Sequence, residues 1–458
     1  MKMLRTFVAV LAGLLSPFMS TAQDDSTVLR SIVEDVLVRG AAYENLRFLC
    51  KKVGPRLSGS PGGAAAVRET ARMMRESGAD TVYLQECMVP KWVRQKGDTA
   101  NLIMANGQVQ PLRITALGNS EGTSAKGLKA TVIEVRDFDE LERMKDMVRG
   151  KIVFYNYPMN PRYIRTNSAY GDAGRYRTTG ASRAAKYGAV AVIVRSLASN
   201  PDDYPHTGVM SYDEAYPKIP AVAISTNHAD LLSGALKKRM ISEVFIKTIC
   251  GMQGEVLSHN VVGELRGTEF PNEVITVGGH LDSWDLAEGA HDDGAGCVQS
   301  MEVIRVFKQL GIRPKRTIRA VMFQNEENGT AGGKKYAELA AKDGKQYIFA
   351  MESDAGGFSP RGFGVSNRDS AKAFKVRQWA PMFMPFGVYE FTNGGGGADI
   401  NPLAGLGTTL VGLTPDSQRY FDIHHSALDV FEAVSRRELH LGAGVMAGLI
   451  YLVDKYGN

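Results

Sequence analysis

Cysteine is scarce in this chain of 458 residues: there are four, Cys50, Cys87, Cys250 and Cys297. No two form a Cys-x-x-Cys pair, which argues against a zinc knuckle or a dithiol redox motif. Cys50 and Cys87 could pair in an oxidising compartment, but buried free thiols are the expectation. Long apolar runs are missing too. Beyond the first two dozen residues no stretch is apolar for long enough to span a bilayer, so no membrane span is expected. There are no internal repeats and no low-complexity tails. Nor does one sign of charge dominate: 54 Lys and Arg against 49 Asp and Glu give a formal net charge of +5. That is too mild to argue for nucleic acid or a basic membrane-binding patch.

What is present is ordinary for a soluble globular protein, with 44% hydrophobic and 22% charged residues. The length exceeds one ordinary core, so two domains are expected. Residues 1–22 read as a secretory signal peptide. Lys2 and Arg5 form its charged start, Phe7 to Leu15 its apolar core, and Ser20-Thr21-Ala22 a small-residue cleavage site before Gln23. The alternatives, a first core helix or a membrane anchor, suit the short apolar run less well. The expectation is a secreted or periplasmic protein. Thr27 to Cys50 has helical spacing, and Ser60-Pro61 reads as an N-cap and first helical residue of a second helix running to about Ser77. Thr81 to Pro90 alternates like a strand. From about Gly118 the character changes to short strands and small helices. The expected division is 23–117, an inserted unit at 118–253, and 254–458. Within the insert, His206 and His228 read as surface or cap residues, and Tyr157 to Thr179 as a long loop.

The most informative stretch runs from Val277 to Gly296. An apolar, β-branched run, Val274 to Val277, reads as a buried strand leading to Gly278-Gly279-His280-Leu281-Asp282. Two residues apart in extended chain, His280 and Asp282 would point the same way, so that Asp282 could accept the second imidazole proton and fix the tautomer a metal needs. Asp292-Asp293 follows, flanked by glycines. Thr317 to Gln324 is another strand-like run, ending in Asn325-Glu326-Glu327-Asn328, and Tyr347 to Met351 a third, ending in Glu352-Ser353-Asp354. Near the C-terminus come His424-His425 and Asp429. In an open α/β sheet ligands gather beyond the carboxyl ends of the strands. Four separate segments could therefore deliver imidazoles and carboxylates to one place. Alone, an Asp-Asp-Gly is usually a turn and a Glu-Glu pair a solvated surface; placed after apolar strands, they read as a site. Four consecutive glycines, Gly394 to Gly397, precede Asp399 and read as a loop whose backbone approaches a ligand.

This constellation resembles the di-zinc co-catalytic exopeptidases, the family of bacterial leucyl aminopeptidase, glutamate carboxypeptidase and transferrin receptor. The stretches Gly-Gly-His-Leu-Asp-Ser-Trp-Asp, Met-Glu-Ser-Asp-Ala-Gly and His-His-Ser carry the resemblance most specifically. The resemblance implies an α/β fold: a mixed, mostly parallel central sheet flanked by helices, interrupted by a protease-associated α/β domain. It implies two zinc ions, with cobalt or manganese as alternatives. His280 and Asp354 would hold one, Glu327 and His425 the other, and Asp292 would bridge them. Glu326 would be the general base, Asp282 would orient His280, and His424 would contact the substrate's developing oxyanion. The peptide bond after Asp292 is expected to be cis. The function implied is hydrolysis of dipeptides or short peptides through a metal-bridged hydroxide. The alternatives are a broad aminopeptidase of the same chemistry or a non-catalytic receptor-like protein, and a homodimer stays open. Within the 157–179 loop, Arg162, Arg165, Arg175 and Arg177 read as a solvated surface. The sharper reading is that one of them grips a substrate carboxylate, because a guanidinium matches it bidentately.

Overall fold

In a computed structural model the described residues run from 16 to 457. The expected leader lies outside them up to residue 15; from Ser16 the backbone is helical to Arg39. The expected single helix over 27–50 is two, Ser16–Arg39 and Ala42–Phe48. The break at Gly40-Ala41 has a partner from elsewhere in the chain: the Ala41 N–H donates to the buried Glu302 carboxylate at 3.0 Å. The next helix, Pro61–Glu76, begins as expected, with the Ser60 hydroxyl accepting from Gly63 N.

Strand β1 (Thr81–Arg94) opens the large sheet, and the chain then leaves it. Strands β2 (Thr99–Met104), β3 (Val109–Leu112), β4 (Ile114–Ala116), β5 (Leu128–Ala130), β6 (Val132–Val135), β7 (Ile152–Tyr155), β8 (Ala191–Arg195), β9 (Ala221–Ile224) and β10 (Ile241–Lys247) build two smaller sheets. Their orders are β3-β2-β10-β5 and β4-β9-β8-β7-β6. The excursion thus begins between Arg94 and Thr99 rather than at Gly118. The Gly118–Gly127 stretch joins β4 to β5 inside it, because β2 and β4 find their partners in β10 and β9. The segment expected as a loop over 157–179 is mostly helix, Thr166–Thr178. Its glycines and polar residues carry little intrinsic helix preference. Packing of Ala169 and Ala173 against Phe358, Tyr420 and Phe421 overrides that.

The chain returns as β11 (Cys250–Leu265), β12 (Phe270–His280), β13 (Arg316–Phe323), β14 (Gln346–Glu352), β15 (Pro360–Ser366), β16 (Glu390–Asn393) and β17 (Thr409–Pro415). The large sheet has the order β1-β11-β13-β12-β14-β17-β15-β16. Its centre is parallel: β12 pairs in parallel with both β13 and β14, and β14 with β17. Central strands covered on both faces must be apolar throughout; accordingly Val274, Ile275 and Val277 are fully buried. Helices Ser16–Arg39, Pro61–Glu76, Ala295–Gln309 and Arg436–Tyr456 cover one face. Ala331–Ala340 and the turn Asn401–Leu406 cover the other. No helix among the described residues is long and apolar enough to cross a membrane. The four cysteines are free thiols, and Cys50 and Cys87 are both buried.

Candidate metal centre

The parallel strands β12, β13 and β14 end side by side, and the groups singled out in the sequence stand just beyond those ends. His280 closes β12 and is fully buried. Its Nε2 lies 3.2 Å from Asp292 Oδ1 and 3.4 Å from Asp354 Oδ1. The other oxygen, Asp292 Oδ2, stands 3.1 Å from His425 Nε2, which is also 3.1 Å from Glu327 Oε2. The Asp292 carboxylate therefore faces one imidazole with each oxygen. His424 Nε2 is 3.4 Å from Asp292 Oδ2, and its ring stacks on His425 with centroids 3.6 Å apart. All eight groups expected at the site are brought together.

Two local geometries differ from the sequence reading. The chain stops being extended at His280, so the Asp282 carboxylate is 3.9 Å from His280 Nδ1; the backbone carbonyl of Asp282 sits closer, at 3.0 Å. The carboxylate accepts instead from Glu326 N at 3.1 Å. Glu326 and Glu327 diverge because they lie in a turn, not in extended chain. Asn325 enters that turn with a left-handed φ of 68°. Its amide donates to Ser58 Oγ and Asn328 Oδ1. The peptide bond between Asp292 and Asp293 is cis, as expected.

Several supporting residues had no role in the sequence reading. Arg56 is fully buried and donates to three backbone carbonyls of the metal loop: Leu281, Glu288 and Gly289, at 2.6, 2.5 and 2.7 Å. Asp293 accepts from His280 N at 3.0 Å, and a Cβ on Gly279 would fall 2.4 Å from the same oxygen, so only glycine fits there. Asp429 accepts from His291 N and Asp292 N at 2.7 and 3.1 Å. His206 is not a surface residue: it is buried, with Nδ1 2.6 Å from the His424 carbonyl. Nearby, Thr207 N donates to the His425 carbonyl at 2.9 Å. The residues 206–207, from the segment between β8 and β9, thus fix the backbone of both imidazoles. Neither Arg56 nor His206 gave a signal of this role in the sequence, because their partners are more than 200 positions away.

The electrostatics ask for cations. Burial pushes the Glu327 carboxyl up to about 7, with the Asp292 charge adding to it and His425 opposing. Burial, then the Asp354 and Glu327 charges, hold Glu326 well above the usual carboxylate range, against the pull of His280. At His280 burial disfavours the imidazolium, yet the carboxylates of Asp354 and Asp292 outweigh it and hold the ring well above its usual value. His425 behaves in the same way, with Glu327 as its main counter-charge. Asp292 Oδ2 is buried without a hydrogen-bond donor. Two imidazoles and three carboxylates crowded out of water suit divalent ions that accept borderline nitrogen and oxygen ligands. Next to Asp354 opens a cavity of about 590 Å³, walled by Gly394 to Gly397 and roofed by Ile164 and Arg165.

An α/β sheet with imidazoles and carboxylates converging at its carboxyl edge is the frame of a metallopeptidase. Residues 260–450 match the model of peptidase family M28. Carboxypeptidase Q of Homo sapiens is 35% identical over 412 residues, spanning 90% of this chain and 85% of that protein. The Bos taurus carboxypeptidase Q is 35% identical over 430 residues, spanning 93% and 88%. The crystal structure of a peptidase M28 precursor from Shewanella amazonensis SB2B superposes with a TM-score of 0.89 at 32% identity, covering 94% of this chain and 97% of that one. BSAP, a zinc aminopeptidase from Bacillus subtilis, shares the fold at TM-score 0.65 and 20% identity, covering 90% and 94%. The chain belongs to peptidase family M28. It is a hydrolase of the metallo-exopeptidase class.

Proposed function

We propose that this protein is an exported di-zinc exopeptidase that hydrolyses dipeptides or short peptides. The observation that carries the reading is the Asp292 carboxylate, with one oxygen 3.2 Å from His280 Nε2 and the other 3.1 Å from His425 Nε2. His280 and Asp354 would hold one ion, His425 and Glu327 the second, with Asp292 shared. Zinc bound there polarises a scissile carbonyl and makes water nucleophilic near neutral pH.

The chain's own groups supply the rest. Glu326 keeps 21% of its side-chain surface exposed, against 2% for Glu327. Glu326 is therefore free to take the attacking water's proton and return it to the leaving amine. His424 Nε2 presents a donor to the developing oxyanion. Asp282 acts twice: its carbonyl holds His280 Nδ1 and its carboxylate holds the Glu326 backbone. The strands β2–β10 form a protease-associated domain inserted at about 95–249, and its contacts at 164–166 and 206–207 narrow the entrance, which favours small substrates. Residues 1–22 act as the cleaved leader.

Glu326→Gln tests the base. It should keep both zinc ions by metal analysis while lowering kcat by about 10²- to 10⁴-fold; full turnover would show that another group moves the proton. A dipeptide panel with free and blocked ends, with zinc and with chelator, separates dipeptidase from broad aminopeptidase action.

A further inference from the structure

His206 and Asp202 belong to the segment between β8 and β9, and Asp422 to the short helix Tyr420–Ile423 that leads into His424. The two elements touch: Ser199 N donates to the Phe421 carbonyl at 3.3 Å. His206 is 2% exposed, and its Nδ1 lies 2.6 Å from the His424 carbonyl. A carbonyl can only accept, so Nδ1 carries the proton and Nε2 presents its lone pair. Yet Nε2 has no hydrogen-bond partner. It faces Asp202 Oδ2 at 3.8 Å, an oxygen that is also buried without a partner. The other Asp202 oxygen is engaged, accepting from Tyr204 N at 2.9 Å. The backbone here is pinned: Asp202 N donates to Thr226 Oγ1 at 2.8 Å, the Asp202 carbonyl accepts from Asn227 N at 3.1 Å, and His206 N donates to Ser196 Oγ at 2.9 Å. Asp422 completes the cluster. Its Oδ1 is buried without a partner. Burial and then the Asp202 charge raise its carboxyl above the usual range, against the pull of His206, so the three side chains lie within electrostatic reach of one another.

Three acceptors gathered out of water with no donor among them are costly. A single water carries two protons and cannot serve all three. An imidazolium would stand 3.8 Å from Asp202, beyond hydrogen-bond reach, and would leave Asp422 unserved. A divalent cation satisfies one imidazole and two carboxylates together. Two bonds of about 2.1 Å, bent at the ion, span the 3.8 Å between His206 Nε2 and Asp202 Oδ2. A ring whose other nitrogen donates to a backbone carbonyl is also how proteins present imidazole to a metal. We propose that Asp202, His206 and Asp422 form a further divalent-cation site, separate from the Asp292 centre, which takes zinc or a similar borderline ion. Two of its ligands come from the inserted segment and one from the turn that carries His424 and His425. The bound ion fastens those two parts of the chain to each other.

The test is metal content, with zinc as the probe. Loaded with zinc and desalted, wild type should carry one more zinc per chain than Asp202→Asn or Asp422→Asn, whatever the occupancy of the Asp292 centre. Both substitutions keep the shape of the side chain and remove the charge that holds the ion. Zinc added to chelator-treated protein, at about 100 times its dissociation constant, should raise the Tm of wild type by about 3 °C more than that of either variant. If the variants do not fold, wild-type crystals soaked in zinc decide instead: anomalous scattering should give a peak between His206 Nε2 and Asp202 Oδ2. Equal zinc content in wild type and both variants, or no anomalous peak at that place, would overturn the assignment. Loss of zinc from the Asp292 centre alone would leave the one-equivalent difference in place, so the two readings fail separately.

Discussion

Arg56 and Glu326 mark two extremes of what one side chain does here. Glu326 keeps part of its side chain exposed beside His280, and its chemistry is its own. Arg56 touches no cavity, yet the metal loop hangs on it: three carbonyls from Leu281 to Gly289 accept from one guanidinium. Arg56→Met fits the volume but leaves those buried acceptors without a donor. It should cost about 3 kcal/mol or more in denaturant unfolding and weaken zinc binding; unchanged stability would mean water replaces the fork without loss. At this scale the sequence singled out the groups that sit next to glycines at strand ends. It could not single out Arg56 or His206, nor say what Asp429 does, because the importance of these residues is a matter of what lies opposite them.

Among the elements, the helix Thr166–Thr178 departs furthest from expectation. Its composition argues for a loop, and its helicity comes from seating Ala169 and Ala173 on Phe421 and Tyr420, beside His424. Thr166 Oγ1 ties its start to the Ser417 carbonyl at 2.8 Å. Ala173 is fully buried. Ala173→Glu would place a carboxylate in that contact at a cost of several kcal/mol. The helix should lift, kcat/KM should fall at least about tenfold, and protease should cut within 164–180 sooner than in wild type. The strands of the large sheet behave oppositely. Their β-branched runs and glycine stops were legible, because a strand buried on both faces has only one workable composition.

The whole molecule couples metal, sheet and termini. Removing zinc leaves Asp292, Glu327, Asp354 and Glu326 around one buried space, so chelation should lower stability by about 3 kcal/mol at zinc near 100 times its dissociation constant, read as a fall in Tm that added zinc reverses. Acid acts elsewhere. His440, buried where the helix Arg436–Tyr456 meets Tyr43, is held at about 4 from a usual 6.5, chiefly by burial and then by the Arg436 charge. A depressed imidazole stabilises the fold above its unfolded pKa, and that share is lost as pH falls from about 6.5 towards 4. Wild type should lose about 2–3 kcal/mol relative to His440→Gln over that window; parallel pH profiles would contradict it. By itself the sequence determined the strand ends and the imidazoles and carboxylates near them, since local spacing and glycine punctuation encode these, while the α/β class and the choice of ligands among them came from the family resemblance those motifs carry. Only the tertiary structure decided where the chain leaves the large sheet, that residues 166–178 are helical, and that Asp202, His206 and Asp422 meet. Those facts depend on which distant surfaces meet, and no local pattern in a chain records that.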